Sequence, residues 1–64
     1  MDRTYEVTGM TCDHCRRAVE DEVGVVPGVT AVAVDLPGGT VRVEGDADDR
    51  LVREAIVEAG YTVA

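Results

Sequence analysis

The chain has 64 residues, a net charge of −7, and an aliphatic apolar content that includes no Trp or Phe. A chain of this length forms one small domain, which we predict to span residues 1–64. The negative charge argues against nucleic-acid binding, because phosphate contacts require clustered Lys and Arg. No apolar run approaches the roughly 20 residues of a membrane span, and the polar N-terminus does not resemble a signal peptide. We therefore expect a cytoplasmic protein that does not insert into membranes.

The first part of the chain predicts a strand followed by a helix. Polar and apolar residues alternate over Arg3–Thr8, which indicates a half-buried β-strand. A loop follows, and apolar residues at close to helical spacing predict a helix from Asp13 to Gly24. Either Thr11 or Asp13 has a side chain suited to cap the start of this helix.

The second part predicts a hairpin, a helix and a short strand. Val29–Asp35 and Thr40–Glu44 each favour a strand, and the Gly-rich turn at 36–39 joins them as a hairpin. A second helix is predicted over 48–59 with its first residue, an Asp, as the N-cap, and a last strand over 61–63. The predicted apolar face of this helix consists of Leu51, Val52, Ala55, Ile56 and Ala59.

The order strand, helix, strand, strand, helix, strand is the split βαβ pattern of a ferredoxin-like domain. It places the protein in the α+β class. We expect a four-stranded antiparallel sheet with both helices on one face, because each helix has one apolar stripe to bury.

Cys12 and Cys15 are the only cysteines. A disulfide between them would close too short a loop to stabilise the fold appreciably, and in a reducing compartment a Cys-x-x-Cys pair is more often metal-binding or redox-active. The start of a helix lowers cysteine pKa values, because unpaired N–H groups and the positive end of the dipole lie there. Thiolates favour Cu(I), whereas structural zinc usually takes four ligands.

The segment Gly9–Cys15, with sequence GMTCDHC, resembles the metal-binding loop of the heavy-metal-associated domain family. The turn at 26–29 and the Gly-Tyr pair at 60–61 also match, so the whole chain resembles a stand-alone prokaryotic copper chaperone of that family. The resemblance implies that Cys12 and Cys15 bind Cu(I). It further implies transfer to the N-terminal metal-binding domain of a copper-transporting P-type ATPase, or in some members to a copper-sensing repressor. Such a protein is a carrier rather than an enzyme.

Four residues near the cysteines are candidates for supporting roles. The resemblance implies that Met10 tucks inward and anchors the loop, and Thr11 is expected to support the loop by local hydrogen bonds. Tyr61 is expected to approach the thiolates, where its ring shields them and its hydroxyl polarises them; the alternative is an ordinary half-buried tyrosine. His14 is expected to be exposed, with third ligand and proton buffer as its alternative roles.

Three alternatives remain open from the sequence. Related domains carry Hg(II), Zn(II) or Cd(II) in place of Cu(I). An exposed pair of thiolates also makes a metal-bridged homodimer plausible. Cys-x-x-Cys is in addition the redox motif of thiol–disulfide oxidoreductases, although the thioredoxin-like fold is longer and places a cis-proline beside its motif, whereas the two prolines here are Pro27 and Pro37.

Overall fold

The computed structural model describes residues 2–64, so Met1 of the predicted domain lies outside the described residues. The elements in chain order are β1 (Arg3–Thr8), α1 (Asp13–Gly24), β2 (Val29–Asp35), β3 (Thr40–Gly45), α2 (Asp49–Glu58) and β4 (Thr62–Val63). The four strands form one sheet in the order β2-β3-β1-β4, with antiparallel pairing between neighbours. The predicted βαββαβ order and antiparallel sheet are confirmed, and each element ends within one residue of its expected position.

Strand β1 lies between β3 and β4. Its last residue, Thr8, is opposite Thr62, the first residue of β4, and Thr8 Oγ1 donates a hydrogen bond of 3.3 Å to the Thr62 carbonyl oxygen. The residue before β4 is Tyr61. The sheet therefore brings Tyr61 next to the point where the loop containing the cysteines begins.

In the part of the chain that the structure describes, the core is a cluster of apolar side chains between the sheet and the helices. The alternation in β1 buries Tyr5 and Val7, and the helical periodicity of α1 buries Val19 and Val23. Burying an aliphatic side chain of this size stabilises a fold by about 1.5–3 kcal/mol. Within residues 2–64 the buried residues are Tyr5, Val7, Met10, Val19, Val23, Val26, Val41, Val43, Ala47, Val52, Ala55 and Ile56.

The start of α1 differs from the prediction that Thr11 or Asp13 would cap the helix. The N-cap is Cys12, whose backbone is extended and whose side chain makes no capping hydrogen bond. Its carbonyl oxygen accepts the N–H groups of Cys15 at 3.0 Å and Arg16 at 3.2 Å. Cap residues with oxygen side chains are preferred in general, but here a thiol occupies that position. One of the candidate metal ligands thus occupies the N-cap position of α1.

The second helix follows the prediction at its start and departs from it on one face. Asp48 is the N-cap, and its side chain accepts the N–H of Arg50 at 2.9 Å. Leu51 was expected on the apolar face, but it is 41% exposed. It precedes the fully buried Val52 by one residue, or about 100° around the helix, so it lies at the margin of the buried stripe. Within residues 2–64, no helix has both the length and the apolar character needed to cross a bilayer.

Candidate metal centre

The loop after β1 is fixed by one turn and one buried side chain. Gly9 has φ of 99°, a left-handed conformation that glycine adopts without steric cost. The next residue, Met10, is only 8% exposed and belongs to the core cluster. The expected inward orientation of Met10 is therefore observed. Thr11 and Cys12, which follow it, are exposed.

The two cysteine sulfurs lie 3.6 Å apart. This distance is well beyond the roughly 2.05 Å of a disulfide bond, and both cysteines are free thiols. Two sulfurs that each bond a metal at about 2.3 Å can be up to about 4.6 Å apart, so this pair can hold a single ion without a large rearrangement. Cys12 is exposed, whereas Cys15 is partly buried and packs against the core. One thiol is thus accessible and the other is held by the fold.

The environment of Cys15 stabilises its thiolate. Its pKa falls from an ordinary value of 9.0 to about 6, chiefly because the Tyr61 hydroxyl hydrogen bonds to it, with further contributions from the backbones of Thr11 and Cys12. The pKa of Tyr61 is raised by the same hydrogen bond to Cys15 and by burial. The thiolate is the form that binds metals, and with this pKa Cys15 is mostly thiolate at neutral pH.

Tyr61 reaches Cys15 from the opposite end of the chain. A Cβ added at Gly9 would lie 3.2 Å from Tyr61 Cδ1, so the ring packs directly against the glycine. The Tyr61 N–H donates to the Ile56 carbonyl oxygen at 3.3 Å, which ties the residue to the end of α2. The structure thus brings Tyr61 to the thiols as the sequence suggested, while its influence on a bound metal stays a prediction.

His14 is exposed, as expected. Among residues 2–64, no group of three or more His, Cys, Asp or Glu side chains is arranged to hold a metal ion. His14 is therefore not positioned together with Cys12 and Cys15 as a third ligand. In the described part of the chain, the donor set that can share one ion consists of two thiols. Such a set suits a soft ion of low coordination number.

A charged cluster in the first turns of α1 was not anticipated from the sequence. Asp13 Oδ1 accepts Arg16 Nε at 2.7 Å, and Asp13 Oδ2 lies 3.6 Å from Arg17 Nε. Arg16 also pairs with Glu20 through Nη1, at 2.8 Å. The Arg16 hydrogen bond is the main reason that the pKa of Asp13 is lowered. Spacings of three and four residues on a helix are the signal in the sequence for such pairs.

The chain matches known proteins over nearly its whole length. The sequence model of the heavy-metal-associated domain family matches residues 4–62. The chain is 48% identical to the copper chaperone CopZ of Bacillus subtilis over 65 residues, which cover 97% of this chain and 94% of that protein. Its structure is similar to that of a CopZ metallochaperone, with a TM-score of 0.97, 34% identity and complete coverage of both chains. It is also similar to a copper binding domain from HMA7, a P-type ATPase, with a TM-score of 0.93, 30% identity, and coverage of 98% of this chain and 89% of that one.

Proposed function

The chain belongs to the heavy-metal-associated domain family, and from this membership and its thiol pair we propose that it is a copper chaperone. It binds Cu(I) through Cys12 and Cys15 and passes the ion to a copper-transporting P-type ATPase. The main support for the proposal is that the Cys12 and Cys15 sulfurs lie 3.6 Å apart at the start of α1, close enough to bind the same ion. The 48% identity to a copper chaperone supports copper as the metal.

The charge of the site favours a monovalent ion. Two thiolates carry −2, and binding Cu(I) leaves −1 at the site. The positive end of the α1 dipole and the unpaired N–H groups of its first turn can stabilise that residual charge. Thiolates are also the soft ligands that select Cu(I) over harder ions. A site of two thiols falls short of the four ligands usual for structural zinc.

The unequal exposure of the two thiols sets the order in which they release the ion during transfer. A partner thiolate bonds to Cu(I) from the side of the exposed Cys12, and the ion becomes three-coordinate. The bond from copper to Cys12 then breaks, and a second partner thiolate displaces Cys15. Cys15 leaves last because it packs against the core and is hydrogen bonded by Tyr61. The ion moves between thiolates without being released into water and without changing oxidation state.

The proposed recipient is a metal-binding domain of the same fold on a copper-transporting P-type ATPase. The structural similarity to a copper binding domain of a P-type ATPase supports this choice. The chaperone acts in the cytoplasm as a carrier and not as an enzyme. A copper-sensing repressor is the alternative recipient, and two copies bridged by copper through their exposed Cys12 thiols are the alternative state of the loaded protein.

Titration of the reduced protein with Cu(I) against a chromophoric Cu(I) chelator tests the proposal. We expect one tightly bound ion per chain in the wild type and loss of tight binding in Cys12→Ser and in Cys15→Ser. His14→Ala is the matched control, because His14 lies between the two cysteines in sequence and is exposed, and it should keep the wild-type affinity. Retention of one-to-one binding in the double Cys→Ser variant contradicts the proposal. Parallel titration with Zn(II) shows whether Cu(I) is the preferred ion.

A further inference from the structure

We propose that the free edge of β2 is a self-association surface at which two copies of this chain pair strand to strand. The two β2 strands run antiparallel about a twofold axis at Ala33 and join the two four-stranded sheets into one. The surface consists of residues 31–35 of β2, flanked by the side chains of Arg16 and Glu20 on α1. The inference goes beyond the proposed function, because the pairing needs neither a metal nor the thiols.

The edge of β2 lacks the features that usually prevent strands from pairing. Within residues 2–64, β2 is the outermost strand and its one neighbour in the sheet is β3. Natural proteins commonly protect such an edge with charged residues, proline or a bulge. Residues 29–34, with sequence VTAVAV, contain no charged residue and no proline. The irregularity in the register lies between Val29 and Ala31, so the strand beyond it can pair regularly.

The hydrogen-bond pattern of the sheet decides which backbone groups of β2 face outward. The N–H of Val7 on β1 donates to the carbonyl oxygen of the residue before β3, at 2.8 Å. Because bonding directions alternate along antiparallel strands, the backbone groups of Arg42 then face β2, where Arg42 is opposite Ala33. The backbone N–H and C=O groups of Val32 and Val34 consequently point away from β3, toward the free edge.

The apolar core is incompletely covered along the same edge. Val41 and Val43 on β3 are at most 3% exposed. Their partners on β2, Val34 and Val32, pack against the core but are only partly buried. A strand added at this edge would cover the two outer valines.

A second copy of β2 fits the edge residue by residue. Antiparallel pairing about Ala33 places Val32 opposite Val34 of the second copy, and Val34 opposite Val32 of that copy. These are the residues whose backbone groups point outward, so each of the two pairs exchanges both N–H···O bonds. Ala33 lies opposite Ala33 of the second copy in a non-hydrogen-bonded pair, where side chains approach closely and a methyl group fits.

The charges beside β2 are complementary to their own twofold copy. Glu20 lines a groove of about 380 Å³ together with residues 29–32. Arg16, one turn nearer the start of α1, pairs with Glu20 at 2.8 Å. The twofold axis reverses this order, so that Arg16 of each copy lies on the side of Glu20 of the other. On the strands, Asp35 is opposite the uncharged Ala31, and no two carboxylates oppose each other.

This pairing leaves both metal centres accessible. β1 and β2 run in the same direction, because each is antiparallel to β3, and the cysteine loop follows the end of β1. Antiparallel β2 strands therefore place the two cysteine loops at opposite ends of the joined sheet. Residues 31–35 span about 17 Å, which is short for a protein interface, so we expect a weak and reversible dimer.

Sedimentation equilibrium and amide hydrogen exchange on the metal-free, full-length chain test the proposal. A Cys12→Ser/Cys15→Ser background excludes dimers bridged by a metal or a disulfide. We expect the apparent mass to rise from monomer toward dimer between about 10 µM and about 1 mM protein, the range of weak association. Over this range the amide exchange of Val32 and Val34 should slow about threefold or more. Exchange at Ala33, which is already paired with β3, should not change.

Ala33→Glu and Thr4→Glu form a matched pair of variants in that background. Both positions are exposed, both are opposite Arg42 from either side of β3, and both substitutions add one negative charge. Only Ala33→Glu brings two glutamates together across the twofold axis, where opposed like charges destabilise strand pairing. The dissociation constant should rise about fivefold or more in Ala33→Glu and stay within about twofold in Thr4→Glu. Far-UV circular dichroism checks that both variants are folded.

Either of two results overturns the proposal. One is a monomer at every concentration, with the exchange of Val32 and Val34 unchanged. The other is a dimer that Ala33→Glu and Thr4→Glu weaken equally, which would place the association at another surface. Both measurements are made without metal, so failure of this proposal and failure of Cu(I) binding by the wild type are distinguishable.

Discussion

The ring of Tyr61 packs on Gly9, with Tyr61 Cδ1 at 3.2 Å from the position that a Cβ of Gly9 would occupy. This contact joins the start of β4 to the end of β1 and orients the Tyr61 hydroxyl toward Cys15. A Cβ at Gly9 would require the ring to shift by a few tenths of an ångström, and at φ of 99° any residue other than glycine would be strained. The reactivity of one candidate ligand thus depends on a residue from the other end of the chain.

Replacing Tyr61 with Phe should raise the pKa of Cys15. The ring can still pack on Gly9, but the hydroxyl that contributes most to the lowered pKa is lost. The pH dependence of alkylation by iodoacetamide, measured in a Cys12→Ser background, reports the Cys15 thiol alone. We expect its midpoint to move from about 6 toward the ordinary value of 9.0.

Tyr5→Phe is the matched control for this substitution. The Tyr5 hydroxyl donates to Asp49 Oδ1 at 2.7 Å at the start of α2 and makes no contribution to the lowered pKa of Cys15. Its loss should leave the alkylation midpoint of Cys15 in place. A midpoint that stays near 6 in Tyr61→Phe would show that the helix start and the local backbone are enough to lower the pKa of Cys15 without the Tyr61 hydroxyl.

The stability of the metal-free protein should increase with pH across the neutral range. The pKa of Cys15 is about 6 in the folded state, and in the unfolded state it returns to near 9.0. A depressed folded pKa contributes stability that is complete above the unfolded value and is lost as pH falls through the folded value. Urea unfolding under reducing conditions at pH 6, 7, 8 and 9 should therefore give increasing free energies of unfolding.

Cys15→Ser provides the comparison for the pH series, because it removes this titration while keeping a side chain of similar shape. Its free energy of unfolding should depend much less on pH over the same interval. The carboxyl groups of Asp13 and Asp49 have lowered pKa values and titrate at more acidic pH. A parallel pH dependence in the wild type and Cys15→Ser would contradict the assignment to Cys15.

Met10→Ala should destabilise the fold substantially. Met10 is 8% exposed and contributes to the core, and truncating a buried methionine to alanine typically costs about 2–5 kcal/mol. Urea denaturation of the metal-free protein measures this loss. Leu51→Ala, at a side chain 41% exposed on α2, should cost less than about 1 kcal/mol.

Met10→Leu separates an anchoring role of Met10 from a ligand role. Leucine fills a similar volume, so stability should change by less than about 1.5 kcal/mol. Affinity for Cu(I) should stay at the wild-type value if Met10 only anchors the loop. A large fall in Cu(I) affinity with intact stability would identify the thioether as a ligand.

Gly45→Ala should be among the most damaging substitutions in the chain. Gly45 has φ of 120°, and an added Cβ would overlap the carbonyl oxygen of Gly28. Backbone strain and this overlap should together cost about 3 kcal/mol or more. Gly24→Ala is the control, because a Cβ at the end of α1 meets nothing within 4 Å, and it should stabilise the helix by about 0.5–1 kcal/mol. Thermal unfolding of both variants measures the contrast, and equal melting temperatures would contradict it.

Local patterns in the sequence were sufficient to predict the elements and the thiol pair. Alternation over β1 and helical spacing over α1 depend only on residues close in sequence, and each reflects which face an element must bury. Cys12 and Cys15 are also local to each other, so their pairing could be predicted without the fold. The N-cap residue of α1 could not be predicted in this way, because the conformation of the loop after Met10 decides where the helix begins. Leu51 was misplaced because it lies at the margin of a stripe, where the neighbouring elements decide burial.

Contacts between distant parts of the chain were decided by the tertiary structure. The register that sets Thr8 opposite Thr62 carries Tyr61 to Gly9 and Cys15, and no periodicity in the sequence determines that register. The paired state of Asp13 likewise depended on side-chain orientations that spacing alone does not choose. The sequence by itself determined the order of the elements and two thiols able to share a metal, because both follow from local spacing. Only the packing of β4 against β1 and of the core around Met10 determined how exposed and how firmly held those thiols are, and how far the pKa of Cys15 is lowered.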